Sequence, residues 1–386
     1  MNSLSRWFHL HLCTAVLCST SAGRVSPSLA SLEQHGATGS DLPPICRQAF
    51  FAVERAQHRE CIHMFEGPRK DCMSEPPSNP TKKSSFLPAS ISILKRIRLS
   101  IAAGCDVFSV GNGSRSHANF AITDNRAWVI KAIKRSEVKS LESLAGISST
   151  SNMARSPHEY QQHFKPTAHD HGTFLVPVYA LNSEHSVIVM PNFRTETEHV
   201  LLPLFPEGTR IHKFDVKPVQ VAQSAERTDF ISYLYTVGWT PSTDSTLVGS
   251  GCHGHECWER MLCTLEFDLS LLGNGCIDYS LVFELAFAEG ELSSEAAESL
   301  PKNCIASAMK PTVKAMCVHI IDYLMEYSTV RMLESWWKGG KYDQYGSAVH
   351  DLFACVGDLH QPECEPYMAL LNEEQARAHL ESIGWG

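Results

Sequence analysis

The sequence predicts an α+β fold in two parts, and three observations carry that expectation. Two short β-forming runs, residues 119–123 and 127–133, flank the polar turn Asp124-Asn125-Arg126, which reads as an antiparallel hairpin. Trp258, Met261, Leu262, Leu265, Leu269 and Leu272 keep the i, i+3, i+4, i+7 spacing of an amphipathic helix. Strand-like runs then return at 280–287 and 315–322. Strands first, then a helix mixed with further strands, favours two α+β lobes over a repeating parallel βαβ fold.

The remaining elements follow from local pattern. A helical patch covers residues 47–63, and the proline-rich run 75–80 after it reads as a linker, because successive prolines remove donors and fix φ. Ile91, Leu94, Ile97 and Ile101 recur at helical spacing, with Lys95, Arg96 and Arg98 beside them. That cationic stretch reads as a solvated helix face or as a surface for anionic lipid head groups. Strands are expected at 174–181, 186–190 and 210–216. The helix ending at Leu272 should stop at Gly273-Asn274-Gly275, and a second helix should cover 325–337.

Composition narrows the class. With 43% hydrophobic and 19% charged residues over 386 positions, the chain has the balance of a soluble globular protein. No run approaches the roughly 18 apolar residues of a membrane span, so the mature chain is expected to have no transmembrane segment. A net charge of −9 and the lack of any common nucleic-acid motif argue against nucleic acid as a partner.

The first residues differ in kind: Arg6, an apolar run over 7–18, then small residues at 19–23. That order predicts a signal peptide over 1–22 and the secretory pathway, a short buried helix being the alternative. Of 14 cysteines, Cys13 and Cys18 fall in this segment, leaving an even count that suggests disulfides. Cys252-His253-Gly254-His255-Glu256-Cys257 holds four ligands suited to Zn²⁺, but not at the spacing of a common finger, so a disulfide or loop is expected there.

The chemistry gathers around three charges: Lys131, Asp278 and Asp322. On the second hairpin strand Lys131 shares a face with Val129 and Ile133, where a cation is costly unless something anionic meets it. Upstream lies Gly111-Asn112-Gly113-Ser114, whose small residues let backbone N–H groups approach phosphate oxygens. Glycine loop, strand, turn and lysine-bearing strand make the phosphate-cradling half of a kinase-like site. The His-Arg-Asp and Asp-Phe-Gly signatures of protein kinases are absent from the sequence.

Five segments in order make the pattern specific. They are residues 120–139 (Phe-Ala-Ile-Thr-Asp through Val-Ile-Lys-Ala-Ile-Lys), Val187-Ile188-Val189-Met190-Pro191-Asn192, Phe214-Asp215-Val216-Lys217, Gly275-Cys276-Ile277-Asp278-Tyr279-Ser280, and His319-Ile320-Ile321-Asp322 with the residues after it. Together they resemble the phosphatidylinositol phosphate kinases over about residues 91–350. The resemblance implies a two-lobed, protein-kinase-related fold with an antiparallel N-lobe sheet. It divides the chain into a signal peptide (1–22), an N-terminal extension (23–85), a catalytic domain (86–356) and a C-terminal tail (357–386).

It also implies ATP and Mg²⁺ as cofactors and a phosphoinositide in a membrane surface as substrate. Gly111, Gly113, Ser114, Lys131, Met190 and Asn192 would bind the nucleotide, and Asp322 with Asp278 the metal. Asp278, Lys217 and Asp215 would line the catalytic cleft, with Asp278 orienting or deprotonating the lipid hydroxyl. Glu137 or Glu142 would hold Lys131 by an ion pair.

The departures point the other way. Pro218-Val219 stands where the family has Gly-Ser, which stiffens the backbone and removes a hydroxyl. The lipid-specificity loop, expected at 338–349, is short and weakly basic. A degenerate kinase that binds without turnover is therefore the alternative. A secreted chain would also meet no cytosolic leaflet unless delivered there, so the cytoplasmic face of membranes is the alternative location.

Overall fold

The computed structural model describes residues 41–64, 91–109, 119–144, 160, 163–164, 172–205, 209–217, 225–273, 276–277, 279–287, 299–307, 313–326, 345–361 and 364. The expected signal peptide and linker, residues 1–22 and 75–80, lie outside them.

Helix α1 (Pro44–Met64) and helix α2 (Ile91–Ala103) pack on one another and on the first sheet. That sheet holds β1 (Cys105–Ser109), β2 (Asn119–Thr123), β3 (Trp128–Ala132), β4 (Ala180–Asn182) and β5 (Val187–Pro191), all antiparallel, in the order β1-β2-β3-β5-β4. The expected hairpin is present as β2 and β3. Thr123 closes its turn: its carbonyl accepts from Arg126 N at 2.7 Å and its hydroxyl accepts from Trp128 N at 3.1 Å. Gly104 joins α2 to β1 at φ +135, a backbone conformation that side-chain-bearing residues rarely adopt. Trp128 and Ile130 face α1 and α2, burying against Phe50, Val53, Ile97 and Ile101. Alternation then turns Lys131 to the opposite face.

Helix α3 (Arg135–Leu144) follows the lysine strand directly. Its first turn is closed by Glu137, whose Oε2 accepts from Lys134 N at 2.5 Å, as in a capping box. Helix α4 (Phe193–Leu204) leaves β5, and β6 (Arg210–Val216) opens the second sheet. After α5 (Ala225–Thr236) come β7 (Leu247–Gly249), β8 (Cys252–His253), α6 (His255–Leu272), β9 (Cys276–Ile277), β10 (Ser280–Phe287), β11 (Cys304–Ser307), β12 (Val313–Ile321), β13 (Met325–Glu326) and α7 (Tyr345–Gly357). The second sheet is antiparallel in the order β6-β10-β12-β11-β7-β8, and β13 pairs with β9 alone. Among the described residues the fold is thus mixed α+β, with two large antiparallel sheets and a two-stranded one.

Register sorts the second sheet's faces. Phe283, Leu285, Val318 and Ile320 turn to one side and pack with Phe230, Trp258 and Phe353 of the helices. The other side, with Ala286, Ala315 and Cys317, is covered by Leu201 and Phe205 at the end of α4. Among the described residues four disulfides staple these layers: Cys46–Cys105, Cys252–Cys257, Cys304–Cys317 and Cys355–Cys364. Cys252–Cys257 realises the expected bridge, tying β8 to the first turn of α6, and His255 Nδ1 lies 2.8 Å from Ser242 O.

Three expectations are corrected. Residues 172–179 are extended but outside both sheets, meeting β12 through one parallel bridge, Leu175 to Ile320, and only 180–182 form the strand. Met325-Glu326 is paired to Cys276-Ile277 as strand, where a helix start was expected. Residues 345–349, expected in a loop, form the first turns of α7, with the Tyr345 hydroxyl donating to Tyr279 O.

Candidate functional site

β3 delivers Lys131 to the interior, where it is only 8% exposed. Phe120 on β2 and Ile188 on β5 lie opposite it in register, and the Phe120 ring sits 5.8 Å from its ammonium. The carboxylate that meets it comes from the other sheet: Lys131 Nζ forms an ion pair with Asp322 Oδ1. Asp322 is the first residue after β12 and takes φ 60. A left-handed conformation is uncommon at a residue other than glycine, and aspartate is among the side chains that adopt it. Neither glutamate of α3 performs the expected ion-pairing role. Glu137 closes the helix as above, and Glu142 accepts from the Ser183 hydroxyl at 2.8 Å.

Beside the pair runs a narrow cleft lined by Val176, Val178, Ile188, Met190, Ile321, Asp322, Tyr323 and Leu324. Its cavity is about 10 Å³, room for about one water, so a nucleotide requires it to open. The structure therefore brings Lys131, Met190 and Asp322 together. Asn192 is engaged elsewhere: its amide donates to Ala127 O at 2.9 Å and its side chain to Arg126 O at 2.8 Å.

Asp215 and Lys217 sit at the end of β6. Asp215 is in register with Val282, which is in register with His319, so the three share one row and one face. Ser280 pairs with Ile321 and Val282 with His319, so Asp215 lies toward the same end of the sheet as Asp322, about 10 Å across and three residues, about 10 Å, short of it along the strands. Gly111, Gly113, Ser114, Asp278 and Pro218-Val219 lie outside the described residues.

The metal expectation can be tested on the donor set. Among the described residues no group of three or more His, Cys, Asp or Glu gathers for a metal ion. Mg²⁺ does not need one, since it is held by one or two carboxylates with substrate phosphates and water. Asp322 fits that use: its side chain is 42% exposed, and the ion pair engages Oδ1.

Two buried polar clusters had not been anticipated. Glu284 on β10 is fully buried, with His319 Nε2 of β12 at 3.4 Å, and that nitrogen lies 3.2 Å from the Thr197 hydroxyl of α4. Burial alone would push the Glu284 carboxyl up; His319, Thr197 and the Lys213 cation outweigh it and hold the carboxyl below its usual range. Asp268 on α6 is also fully buried, and accepts from Phe174 N and the Thr173 hydroxyl, both at 2.6 Å, with His163 Nε2 at 2.6 Å. A legible signal existed for the second: Asp268 interrupts the apolar face at three residues from both Leu265 and Leu271.

Compared with protein-family models and with curated proteins, the chain matches none.

Proposed function

We propose that this protein is an ATP-dependent phosphotransferase of the phosphatidylinositol phosphate kinase type, acting on the head group of a phosphoinositide. The single observation that carries the reading is the Lys131–Asp322 ion pair, a strand lysine and a strand-end aspartate meeting at the edge of a cleft between two antiparallel sheets. Kinase sites use such a pair of groups, the cation on the third strand for phosphate oxygens and the carboxylate for the metal.

In a two-lobed kinase arrangement Lys131 would turn from Asp322 to the ATP phosphates, and the loop with Gly111, Gly113 and Ser114 would cover them. Asp322, with Asp278, would hold Mg²⁺, which when bound neutralises charge on the phosphates. The lipid hydroxyl would attack the γ-phosphorus, its proton passing to Asp278, and ADP would leave with the bridging electron pair. Asp215 and Lys217 would border the cleft at the same sheet end. Exposed Lys95 and Arg96 on α2 would meet anionic head groups, while Arg98 is partly engaged by Glu54 at 3.5 Å. Four disulfides, and no helix among the described residues long and apolar enough to cross a membrane, are compatible with the secretory route.

One observation favours a second reading, a catalytically degenerate secreted binding module: the cleft beside the pair has room for about one water. The deciding experiment incubates the purified chain with Mg²⁺, γ-labelled ATP and mixed phosphoinositide vesicles, beside Asp322→Ala. Label in lipid, lost by at least about 100-fold in the variant, supports transfer. Folded protein that transfers none removes the enzymatic reading and leaves the binding module.

A further inference from the structure

Ile320 and Tyr323, on either side of Asp322, are both fastened to one extended segment. Before it, Ile320 accepts from Val176 N at 3.1 Å and donates its own amide to Phe174 O at 2.6 Å. After it, the Tyr323 hydroxyl donates to Val176 O at 2.8 Å. With that proton committed, the Tyr323 oxygen is left as an acceptor, and the Tyr160 hydroxyl lies 3.3 Å away. Tyr160, Tyr323 and Val176 thus form a chain of hydrogen bonds behind Asp322.

The segment is anchored at its other end. Thr173 and Phe174 both donate to Asp268, whose Oδ1 also meets His163, and the His163 ring stacks on Phe267 with centroids 4.0 Å apart. A carboxylate buried on a helix and served by three donors is a fixed point. Residues 174–176 are therefore held by α6 on one side and hold Ile320 and Tyr323, on either side of Asp322, on the other.

We infer that Tyr323 is a positioning residue: its hydroxyl, held by Val176 and Tyr160, keeps Asp322 in the left-handed conformation from which its carboxylate meets Lys131, with Asp268 anchoring the segment. The role in phosphate transfer rests on the proposed function; the control of the Lys131–Asp322 pair does not. A phenylalanine would fill the same apolar space, so the hydroxyl alone carries the effect.

The test reads the ion pair directly. Full-length, disulfide-bonded protein is labelled briefly with acetic anhydride, and the rate at each lysine is followed by mass spectrometry. Tyr323→Phe is expected to raise labelling at Lys131 about 3- to 10-fold, the population change that one lost hydrogen bond gives. Lys314, buried on β12 away from this chain of hydrogen bonds, should not change. Asp322→Asn sets the upper limit. Tyr160→Phe removes the second phenol without touching β12 and should act in the same direction, more weakly. A flat rate at Lys131 in both phenylalanine variants overturns the inference, as does an equal rise at Lys131 and Lys314, which would be general loosening. If labelling rises while the wild type transfers no phosphate, the positioning role stands and the phosphotransferase reading falls. If the wild type does transfer, Tyr323→Phe should lower kcat more than it raises KM for the lipid, and tyrosine restored at 323 should recover both.

Discussion

At the scale of single residues, Lys131 and Asp322 share an ion pair but not an environment. The lysine side chain is 10% exposed and the aspartate side chain 42%. Removing one partner of a buried pair is costly chiefly through the charge left behind without compensation. Asp322→Asn strands the buried ammonium, whereas Lys131→Met leaves a carboxylate that water already reaches. Asparagine tolerates the left-handed backbone at φ 60, so the substitution isolates the charge effect. We expect Asp322→Asn to cost roughly 1–2 kcal/mol of unfolding free energy, discounted for that solvent access. Lys131→Met should cost less than about 1 kcal/mol. Urea melts of the two variants check the order, and equal losses would mean that the pair is not asymmetric in the way its burial implies.

At the scale of elements, α4 meets the second sheet where the Thr197 hydroxyl lies 3.2 Å from His319 Nε2, beside the buried Glu284 carboxylate. The carboxylate on β10 faces His319 of β12, Thr197 of α4 and Lys213 of β6, and its carboxyl is held below the usual range despite burial. A carboxyl depressed in the folded state contributes stability above its unfolded value, about 4.3, and loses it as pH falls through the folded value. The wild type should therefore lose stability steeply on acidification below about pH 4, and Glu284→Gln less steeply. The variant should already be about 1–3 kcal/mol weaker at pH 7. Parallel stability–pH curves would remove this account. The same elements show what could be read from sequence. β6 and β10 lie where their runs of β-forming residues put them, and α6 stops at Gly273, which takes φ 57. Residues 174–181 misled because a continuous apolar run does not separate a sheet strand from a buried extended segment. Met325 misled because its partner Ile277 is remote in sequence and helical spacing is purely local. Lys131 and Asp322 are legible in the sequence as charges that need partners. Their direct pairing is not, because two glutamates on the neighbouring helix offer the nearer partners, and local capping and Ser183 engage them instead.

At the scale of the whole molecule, the layers depend on cross-links of unequal reach. Cys46–Cys105 spans a sequence separation of 59 and joins α1 to β1, whereas Cys252–Cys257 spans 5 within one corner. In the chain-entropy account, closing the longer loop restricts the unfolded chain by about 4 kcal/mol and the shorter by about 2 kcal/mol. The longer bridge also fixes a helix whose apolar face, Cys46, Ala49, Phe50 and Val53, covers Ile97, Ile101 and Ile130. α1 thus belongs to the core, although the sequence alone reads it as an extension. Two terms then act together when the bridge is lost: the unfolded chain gains freedom, and α1 keeps only apolar burial to hold it on the sheet. The double variant Cys46→Ala, Cys105→Ala should lower unfolding free energy by up to about 4 kcal/mol, and Cys252→Ala, Cys257→Ala by up to about 2 kcal/mol. Hydrogen exchange should locate the first loss, with amides of α1 exchanging faster before those of β10 and β12. Equal destabilisation by the two pairs, or α1 amides that stay protected in the first variant, would show that apolar packing alone holds the helix in place.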